Sequence, residues 1–450
     1  MKTILSRRLR RIAAVLAAVL VLSATLWGQV SSPPQMPSST QLPAPAPLSP
    51  SSPPSVVITV DQAIELAKRN NPMLEANRTL ISQNKEQEVT ANLRPNPVLS
   101  WDAQFLPLFT PDLWSSNYID NTAQFDLGLG YLFERGRKRQ HRLQAAKDLT
   151  SVTEAQVADA ERTTVENAAQ QFIIALLAKA NLEFAIQLLD SYQHTVNISQ
   201  EQYKAGGLSK VDLLKIQLQT LQFQSDVSAA RIAKAQALGS LRQWLGFDSV
   251  PRDYDVAGDL SYQPLSLRLE DLEARALSLR PDLKASQRSV TSATSQIGLA
   301  KANAKQDLNV TFDYSHVNAA NVGSFFFNIP LPIFNRNQGE VARTYFVLTQ
   351  SQFLETAAEQ QVLTDVRNAY EALRNGAEVV ELYNNGYLQQ AQQALEITQF
   401  SYRHGAASLL DFLDAERSYR ATELSYRQAL ATYMSALEQL RQAVGTRDLK

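Results

Sequence analysis

Hydrophobic and polar residues alternate with a period of two in four short stretches of the chain, and this pattern predicts four β-strands. The predicted strands cover residues 97–106, 121–132, 307–317 and 323–333. Each has roughly the nine to eleven residues that a tilted strand needs to cross a bilayer. One such strand alone would fit a soluble antiparallel sheet with one wet face. The fourfold recurrence, with the export signal described below, favours membrane strands.

Two long stretches predict helices that exceed the size of a compact domain. Neither Gly nor Pro occurs between residues 137 and 205, and only two glycines interrupt residues 343–404. A helix of about 65 residues would reach roughly 100 Å. The last predicted helix carries a heptad seam for packing against other helices. Its seam positions are Phe412, Ala415, Tyr419, Thr422, Tyr426, Ala429, Tyr433, Ala436 and Leu440.

The chain also repeats itself. Residues 203–246 match residues 402–445 at a constant offset of 199, and each stretch begins with a Tyr-x-x-Gly turn. Upstream, the turn at Asn71-Pro72 corresponds to the turn at Arg280-Pro281. A long-period repeat of this kind predicts two copies of one structural unit, each with two strands and long coiled-coil helices. The predicted repeats are residues 57–257 and residues 258–446.

The N-terminus predicts export. Five basic residues precede an apolar run over residues 12–26 that is too short to span a bilayer comfortably, which indicates a signal peptide over residues 1–28. Residues 29–56, rich in Ser and Pro, predict an extended linker. Without the five basic residues, the formal net charge of −1 becomes about −6. This balance does not indicate a nucleic-acid surface.

Composition gives no indication of an enzyme or of a resident cofactor. The chain has no Cys, so thiolate metal ligation and disulfides are excluded. The four histidines are scattered without a pair at i, i+4, so we expect no tight metal site. We also find no nucleophile and base signature and no phosphate-binding Gly loop. The scattered histidines are His141, His194, His316 and His404.

Four membrane strands cannot close a barrel, and an open sheet in lipid would leave backbone groups unsatisfied at several kcal/mol each. Closure therefore requires several copies of the chain. A dimer would give about the minimum of eight strands, whereas a trimer would give twelve and leave an aqueous path. We expect the trimer.

These features together resemble the TolC-like outer-membrane efflux proteins over residues 58–446. The resemblance rests on the duplication, the Asn-Pro-x-Leu start at Asn71, the turns at Tyr203 and Tyr402, and the segment Leu331-Pro-Ile-Phe-Asn-Arg-Asn-Gln-Gly-Glu340. It implies a homotrimer with a twelve-stranded β-barrel in the outer membrane and an α-helical tunnel in the periplasm. It also implies a periplasmic adaptor and an inner-membrane pump, and the last segment looks most like members that serve heavy-metal, RND-type pumps.

The resemblance further implies a constriction at the periplasmic tip. It places Asp411 and Asp414 in a ring of carboxylates with Tyr402 opposite, and Asp212 is the equivalent acid of the first repeat. Such a ring would attract cations and act as a selectivity filter. A simpler interpretation is that Asp411 and Asp212 favour the positive ends of their helix dipoles.

The tip turns are also candidates for contact with the adaptor. Gly206 and Gly405 supply backbone freedom between the paired helices, and the alternative for the two serines is ordinary helix capping. The candidate contact residues are Gly206, Leu208, Ser209, Gly405, Ser408 and Leu409.

Two other functions remain open. A protein-secretion outlet of type I would have the same architecture as a small-molecule or metal efflux outlet. In a different class, a periplasmic structural or adaptor-like coiled-coil protein would use the strands in a small soluble domain.

Overall fold

The computed structural model describes residues 56–449, so the predicted signal peptide and all but the last residue of the predicted linker lie outside the described residues. Within that range the α-helices are α1 (Val60–Asn70), α2 (Pro72–Asn92), α3 (Ser116–Asn121), α4 (Lys138–Lys204), α5 (Lys210–Leu245), α6 (Leu269–Leu279), α7 (Pro281–Asn303), α8 (Gln338–Leu382), α9 (Leu388–Arg403) and α10 (Leu409–Val444). The strands are β1 (Val57–Ile58), β2 (Val98–Gln104), β3 (Gln124–Phe133), β4 (Asp255–Val256), β5 (Leu308–Val317) and β6 (Ala320–Asn328).

The two halves share one order of elements: a short helix, a medium helix, two strands and a pair of long helices. Local capping and proline chemistry fix where the medium helix of each half begins. Asn71 ends α1 and caps α2 by accepting hydrogen bonds from the N–H groups of Met73 and Leu74, while Pro72 occupies the first helical turn, where its missing N–H is not needed. Pro281 does the same for α7.

The four longer strands form one antiparallel sheet in the order β2-β3-β5-β6. One face is apolar: Trp101 pairs with Leu127, Leu129 with Phe312, and Phe312 with Phe325. These side chains are exposed. The opposite face is mainly polar, so the sheet has the two-sided character of a strand set with one lipid face and one wet face.

The strand ends differ from those predicted by alternation. β6 begins at Ala320 because Asn318 and Ala319 both have positive φ and form a two-residue hairpin turn. It ends at Asn328 instead of residue 333, because the prolines at 330 and 332 have no N–H group to donate to the ladder. β2 stops at Gln104 because Phe105 has a φ of 55°.

Both outer edges of the sheet are open. Within residues 56–449 no strand pairs with the free side of β2 or of β6. Unpaired edges would be costly in a hydrocarbon environment, so these four strands alone do not form a closed membrane barrel.

The long helices differ between the halves. α4 runs for 67 residues without interruption, which corresponds to about 100 Å. In the second half, a five-residue π-helical turn separates α8 from α9, and Gly386 within it has a φ of 122°. One stretch of α4 is long and apolar enough to cross a membrane by composition alone. Its Phe172 and Leu176 are instead buried in a core cluster, so we assign the stretch to helix packing.

Three buried clusters hold the helices together. The first lies mainly in the second half and includes Val366, Tyr433 and Leu440. The second, in the first half, includes Phe172 and Leu241. The third, here called the tip core, contains Tyr192, Ile216, Phe223, Leu409 and Phe412. The heptad seam of α10 supplies residues to both the first cluster and the tip core.

Gly376 lies where α8 packs tightly against α10. A Cβ atom at Gly376 would lie 3.2 Å from the Cα atom of Tyr433, whereas one at Gly339 in the same helix would meet nothing within 4 Å. We expect Gly376→Leu to lower the free energy of unfolding by about 1–3 kcal/mol through overpacking. The matched variant Gly339→Leu should be neutral or slightly stabilising. Urea unfolding in detergent measures both, and equal stabilities would contradict the packing assignment.

Candidate functional site

The site is the tip at which the long helices of each half are joined. α4 ends at Lys204 and α5 begins at Lys210, while α9 ends at Arg403 and α10 begins at Leu409. The backbone reverses at Gly206, with a φ of 79°, and at Gly405, with a φ of 75°. A residue with a side chain is strained in this conformation, so the two glycines are required by the turns.

The two turns lie side by side. The side-chain Nε2 of Gln202 donates a hydrogen bond to the carbonyl oxygen of Arg403, at 3.4 Å. A groove of about 650 Å³ separates the turns, and it contains six of the predicted residues. These are Leu208, Asp212, Tyr402, Gly405, Ser408 and Leu409. Gly206, Ser209, Asp411 and Asp414 are not part of its lining.

Asp212 is held by its own helix. The hydroxyl of Ser209 donates to Asp212 Oδ2 at 2.8 Å, and the Asp212 N–H donates to Ser209 Oγ at 3.0 Å. Lys215 Nζ lies 3.5 Å from Asp212 Oδ1. These contacts match the simpler interpretation, in which Ser209 and Asp212 stabilise the first turn of α5.

Asp411 is the second residue of a capping box. Its carboxylate accepts hydrogen bonds from the N–H and the hydroxyl of Ser408, and its own N–H donates to Ser408 Oγ at 3.2 Å. The side-chain and backbone hydrogen bonds from Ser408 lower the pKa of Asp411. Asp411 is therefore charged and has a structural role in addition to any role in a constriction.

Asp414 is different from Asp411. It lies one turn further along α10, is exposed, and has no hydrogen bond or ion pair within residues 56–449. Its carboxylate is thus free to meet an ion or another copy of the chain. The two acids that looked equivalent in sequence have different local roles.

Tyr402 packs against the tip core within one chain. Its ring stacks on Phe412, with 5.4 Å between ring centroids and 8° between ring planes, and its hydroxyl is buried. Burial raises the pKa of this hydroxyl. Its place opposite Asp411 and Asp414 across a constriction stays a prediction.

Leu409 is also corrected as a contact residue, because it is only 9% exposed and belongs to the tip core. The exposed apolar residue of this turn is its neighbour Leu410, at 75%. Its counterpart in the first repeat, Val211, is 61% exposed. Val211 and Leu410 were not among the predicted contact residues, although the offset of 199 relates the two positions.

The tip also contains a buried acid that the sequence analysis missed. Glu416 is 8% exposed, and burial raises its pKa to about 7, although nearby Arg420 and Arg417 act to lower it. The hydroxyl groups of Tyr192, Ser199 and Tyr402 are also buried; those of Ser199 and Tyr402 lie close to each other, whereas that of Tyr192 has no hydrogen-bond partner. An unsatisfied polar atom in a packed core is unusual and calls for an explanation.

A second charged feature lies on the polar face of the sheet. Asp102 pairs with Asp126 across β2 and β3, and Asp313 on β5 lies opposite Gly128. A Cβ atom at Gly128 would lie only 2.4 Å from Ser100 Oγ, so the glycine leaves room for these polar side chains. The three carboxylates give this face a negative character at one level of the sheet.

Metal ligation by side-chain clusters is not seen in the described part of the chain. Within residues 56–449 no group of three or more His, Cys, Asp or Glu side chains could hold a metal ion.

Comparison with known proteins agrees with this geometry. The sequence model of the outer membrane efflux protein family matches residues 63–247 and 272–446. The cation efflux system protein CusC of Escherichia coli K12 is 28% identical over 331 residues, which cover 69% of this chain and 71% of CusC. The cobalt-zinc-cadmium resistance protein CzcC of Cupriavidus metallidurans is 23% identical over 382 residues, which cover 84% and 88% of the two chains.

A crystal structure of CusC superposes with a TM-score of 0.69 at 22% identity, covering 91% of this chain and 99% of CusC. At this identity the likeness shows the fold alone. The family match covers well over half of the chain, and the chain therefore belongs to the outer membrane efflux protein family. It is an efflux channel protein of the outer membrane, which confirms the resemblance, the function class and the location predicted from sequence.

Proposed function

We propose that this chain is the outlet of a metal-cation efflux system and that it works as a homotrimer. The observation that carries the trimer is the four-stranded sheet with two open edges. Because β2 and β6 run antiparallel in the sheet order, the free edge of β6 can pair with β2 of the next copy. Three copies would form a closed barrel of twelve strands.

Exposed apolar stripes on the helices support the same assembly. On α5, Leu214, Leu218 and Leu221 are exposed at heptad spacing. On α9, Ile397 and Phe400 are exposed with the same kind of spacing. A stripe of this kind indicates a missing helical partner. Neighbouring copies would cover these stripes and continue the barrel as a helical tunnel into the periplasm.

The proposed cation specificity rests on the acidic residues of the sheet and on the names of two relatives. Asp102, Asp126 and Asp313 would place nine carboxyl groups on the inner face of a trimeric barrel, and their negative charge favours cations over anions in a narrow passage. Two relatives carry names for cation efflux and for cobalt, zinc and cadmium resistance. In this proposal the metal ion is the transported substrate and no resident metal is required.

We further propose that the tip is both the docking surface and the closing point. A periplasmic adaptor would contact Gly206, Leu208, Ser209, Gly405 and Ser408, together with the exposed Val211 and Leu410, and would connect the channel to an RND-type pump of the inner membrane. Asp414 would form the inner ring of the constriction, with Asp411 behind it. The signal peptide and linker at residues 1–56 would deliver the chain across the inner membrane.

Deletion of the gene in the source bacterium tests the substrate class. We expect lower minimum inhibitory concentrations of copper, silver, cobalt, zinc or cadmium salts, restored by the wild-type gene, and unchanged tolerance of dyes and antibiotics. The physical reason is that the outlet is shared with a pump that selects the cation. Sensitivity to dyes and antibiotics alone would contradict the proposal and favour a multidrug outlet.

A further inference from the structure

We propose that Glu416 is a proton-binding residue that holds the α9–α10 hairpin against the α4–α5 hairpin, so that the tip is packed when Glu416 is neutral and loosens when it ionises. The inference rests on the proposed function of the tip as the closing point of the channel. It adds a regulatory ligand, the proton, to that site.

The position of Glu416 gives the first support. It lies four residues after Phe412 on α10, so both side chains project from the same face of the helix. Phe412 belongs to the tip core together with Tyr192 of α4 and with Phe223 of α5. Glu416 is therefore an acid at the junction of the two hairpins.

The second support is that no cation neutralises Glu416. Arg420, one turn further on, pairs with Asp226 of α5 and lies over the Phe223 ring at 5.7 Å. Arg417 is exposed. Within residues 56–449 the Glu416 carboxylate has neither a hydrogen bond nor an ion pair, and an ionised carboxylate in such a position has a high desolvation cost.

The third support is the buried hydroxyl group of Tyr192 on α4. Tyr192 is 3% exposed, its hydroxyl has no hydrogen-bond partner, and the charge of Glu416 acts to raise its pKa, so the two groups lie close together. A neutral carboxyl group is both a donor and an acceptor, so protonation of Glu416 lets a small side-chain movement satisfy the Tyr192 hydroxyl on the other hairpin. An alanine or leucine at position 416 could not do this.

Several other charged and titratable groups surround Glu416. They are Tyr192 from α4, Asp212 and Asp226 from α5, Tyr402 from α9, and Arg417 and Arg420 from α10. The tyrosines stay neutral below pH 9, because burial raises the pKa of both. Asp226 is balanced by Arg420 and Asp212 by Lys215. Among these groups, Glu416 is thus the one whose charge changes near neutral pH.

The direction of the pH effect follows from linkage. The packed tip binds the proton more tightly than a loosened tip in which Glu416 meets water. Packing is therefore fully favoured below the ordinary carboxyl pKa of 4.5 and is lost as the pH rises through about 7. Over this window the ratio of packed to loosened tips should fall on the order of a hundredfold.

Distance measurements on the full trimer can test the proposal. The chain has no native Cys, so Gly207→Cys and Ala406→Cys allow one spin-label pair across the two tip turns. Labelled chains are diluted in unlabelled chains so that each trimer carries one pair, and distances are recorded from pH 5 to pH 8.5. We expect one short distance at the lowest pH and a shift to longer distances with a midpoint between pH 4.5 and pH 7.

Two charge-neutralising variants complete the test. Glu416→Gln should keep the short distance at every pH, while Glu396→Gln, which removes an exposed carboxylate from α9, should keep the wild-type pH response. Both are first checked for heat-modifiable trimers. A pH-independent wild-type distance, or a Glu416→Gln variant that still responds, would overturn the proposal. A normal response with conductance unaffected by pH would support the proton site and count against the tip as the closing point.

Discussion

Replacement of Arg280 by Ala is expected to destabilise the chain by about 2–3 kcal/mol, because it removes a buried guanidinium with its charged hydrogen bonds and leaves two partly exposed carboxylates without their partner. Arg280 is 3% exposed. Its guanidinium donates to the carboxylate of Asp282 and, at 2.9 Å, to that of Asp365 on α8. It also donates to the carbonyl oxygen of Ala443 at 3.3 Å, so one side chain links α7, α8 and the end of α10.

The pKa of Asp282 shows which effect dominates in this cluster. Burial alone would raise it, but the hydrogen bond and the charge of Arg280 outweigh burial and lower it. The stabilisation is therefore present above the ordinary pKa of the carboxyl group and decreases as the pH falls through its lowered value. We expect wild-type unfolding in urea to show this acid sensitivity and the Arg280→Ala variant to lose most of it.

A matched control separates burial from ion pairing. Arg367 pairs with Glu273 at 3.3 Å, but its side chain is 65% exposed, so Arg367→Ala should cost no more than about 1 kcal/mol. Unfolding in urea and the fraction of heat-resistant trimer are measured for both variants. Equal effects of the two substitutions would show that the Arg280 cluster does not hold the helices together.

The duplication explains why an Arg stands at position 280. In the first repeat, Asn71 donates to the carbonyl oxygen of Trp244 at 3.0 Å, and residue 244 is the counterpart of Ala443 at the offset of 199. Both repeats thus tie the start of the medium helix to the end of the last helix, with different side chains. The sequence aligned Asn71 with Arg280, but alignment alone could not show that a short cap had become a buried ion-pair cluster.

Sequence reasoning succeeded where a local rule decided the structure. The absence of Gly and Pro predicted the length of α4, and the paired glycines predicted the turns at Gly206 and Gly405. It failed where the rotation of a helix about its axis and its tertiary contacts decided which side chains are buried. Leu409 and Leu410 are adjacent in the sequence, yet Leu409 is buried and Leu410 is exposed.

Glu416 was missed for a related reason. It falls between the seam positions Ala415 and Tyr419, and a charged residue there is typical of a solvated helix face. The signal that could have found it is its spacing of four residues from Phe412, which places it beside the seam. Glu416 is buried where the two hairpins meet, and the seam residue Phe412 contacts the other hairpin there, but the pattern within one helix does not show how far that contact extends beyond the seam.

Neutralisation of Asp414 is expected to have the largest effect on conduction. In a trimer, three copies of this exposed, unpaired carboxylate would approach one axis, where like charges attract a divalent cation that bridges them. We expect Asp414→Asn to weaken block by divalent cations roughly tenfold or more, equivalent to at least about 1.4 kcal/mol, and to raise single-channel conductance in planar bilayers.

Asp411 provides the comparison within the same helix turn. Because its carboxylate is bound in the capping box with Ser408, Asp411→Asn should weaken the block less and should cost about 1 kcal/mol of stability. Asp190→Asn, on an exposed part of α4, removes the same charge away from the axis and should leave the block unchanged. The constriction would be placed wrongly if Asp414→Asn trimers kept the wild-type block constant. A larger effect at Asp411 than at Asp414 would instead show that the capped acid forms the inner ring.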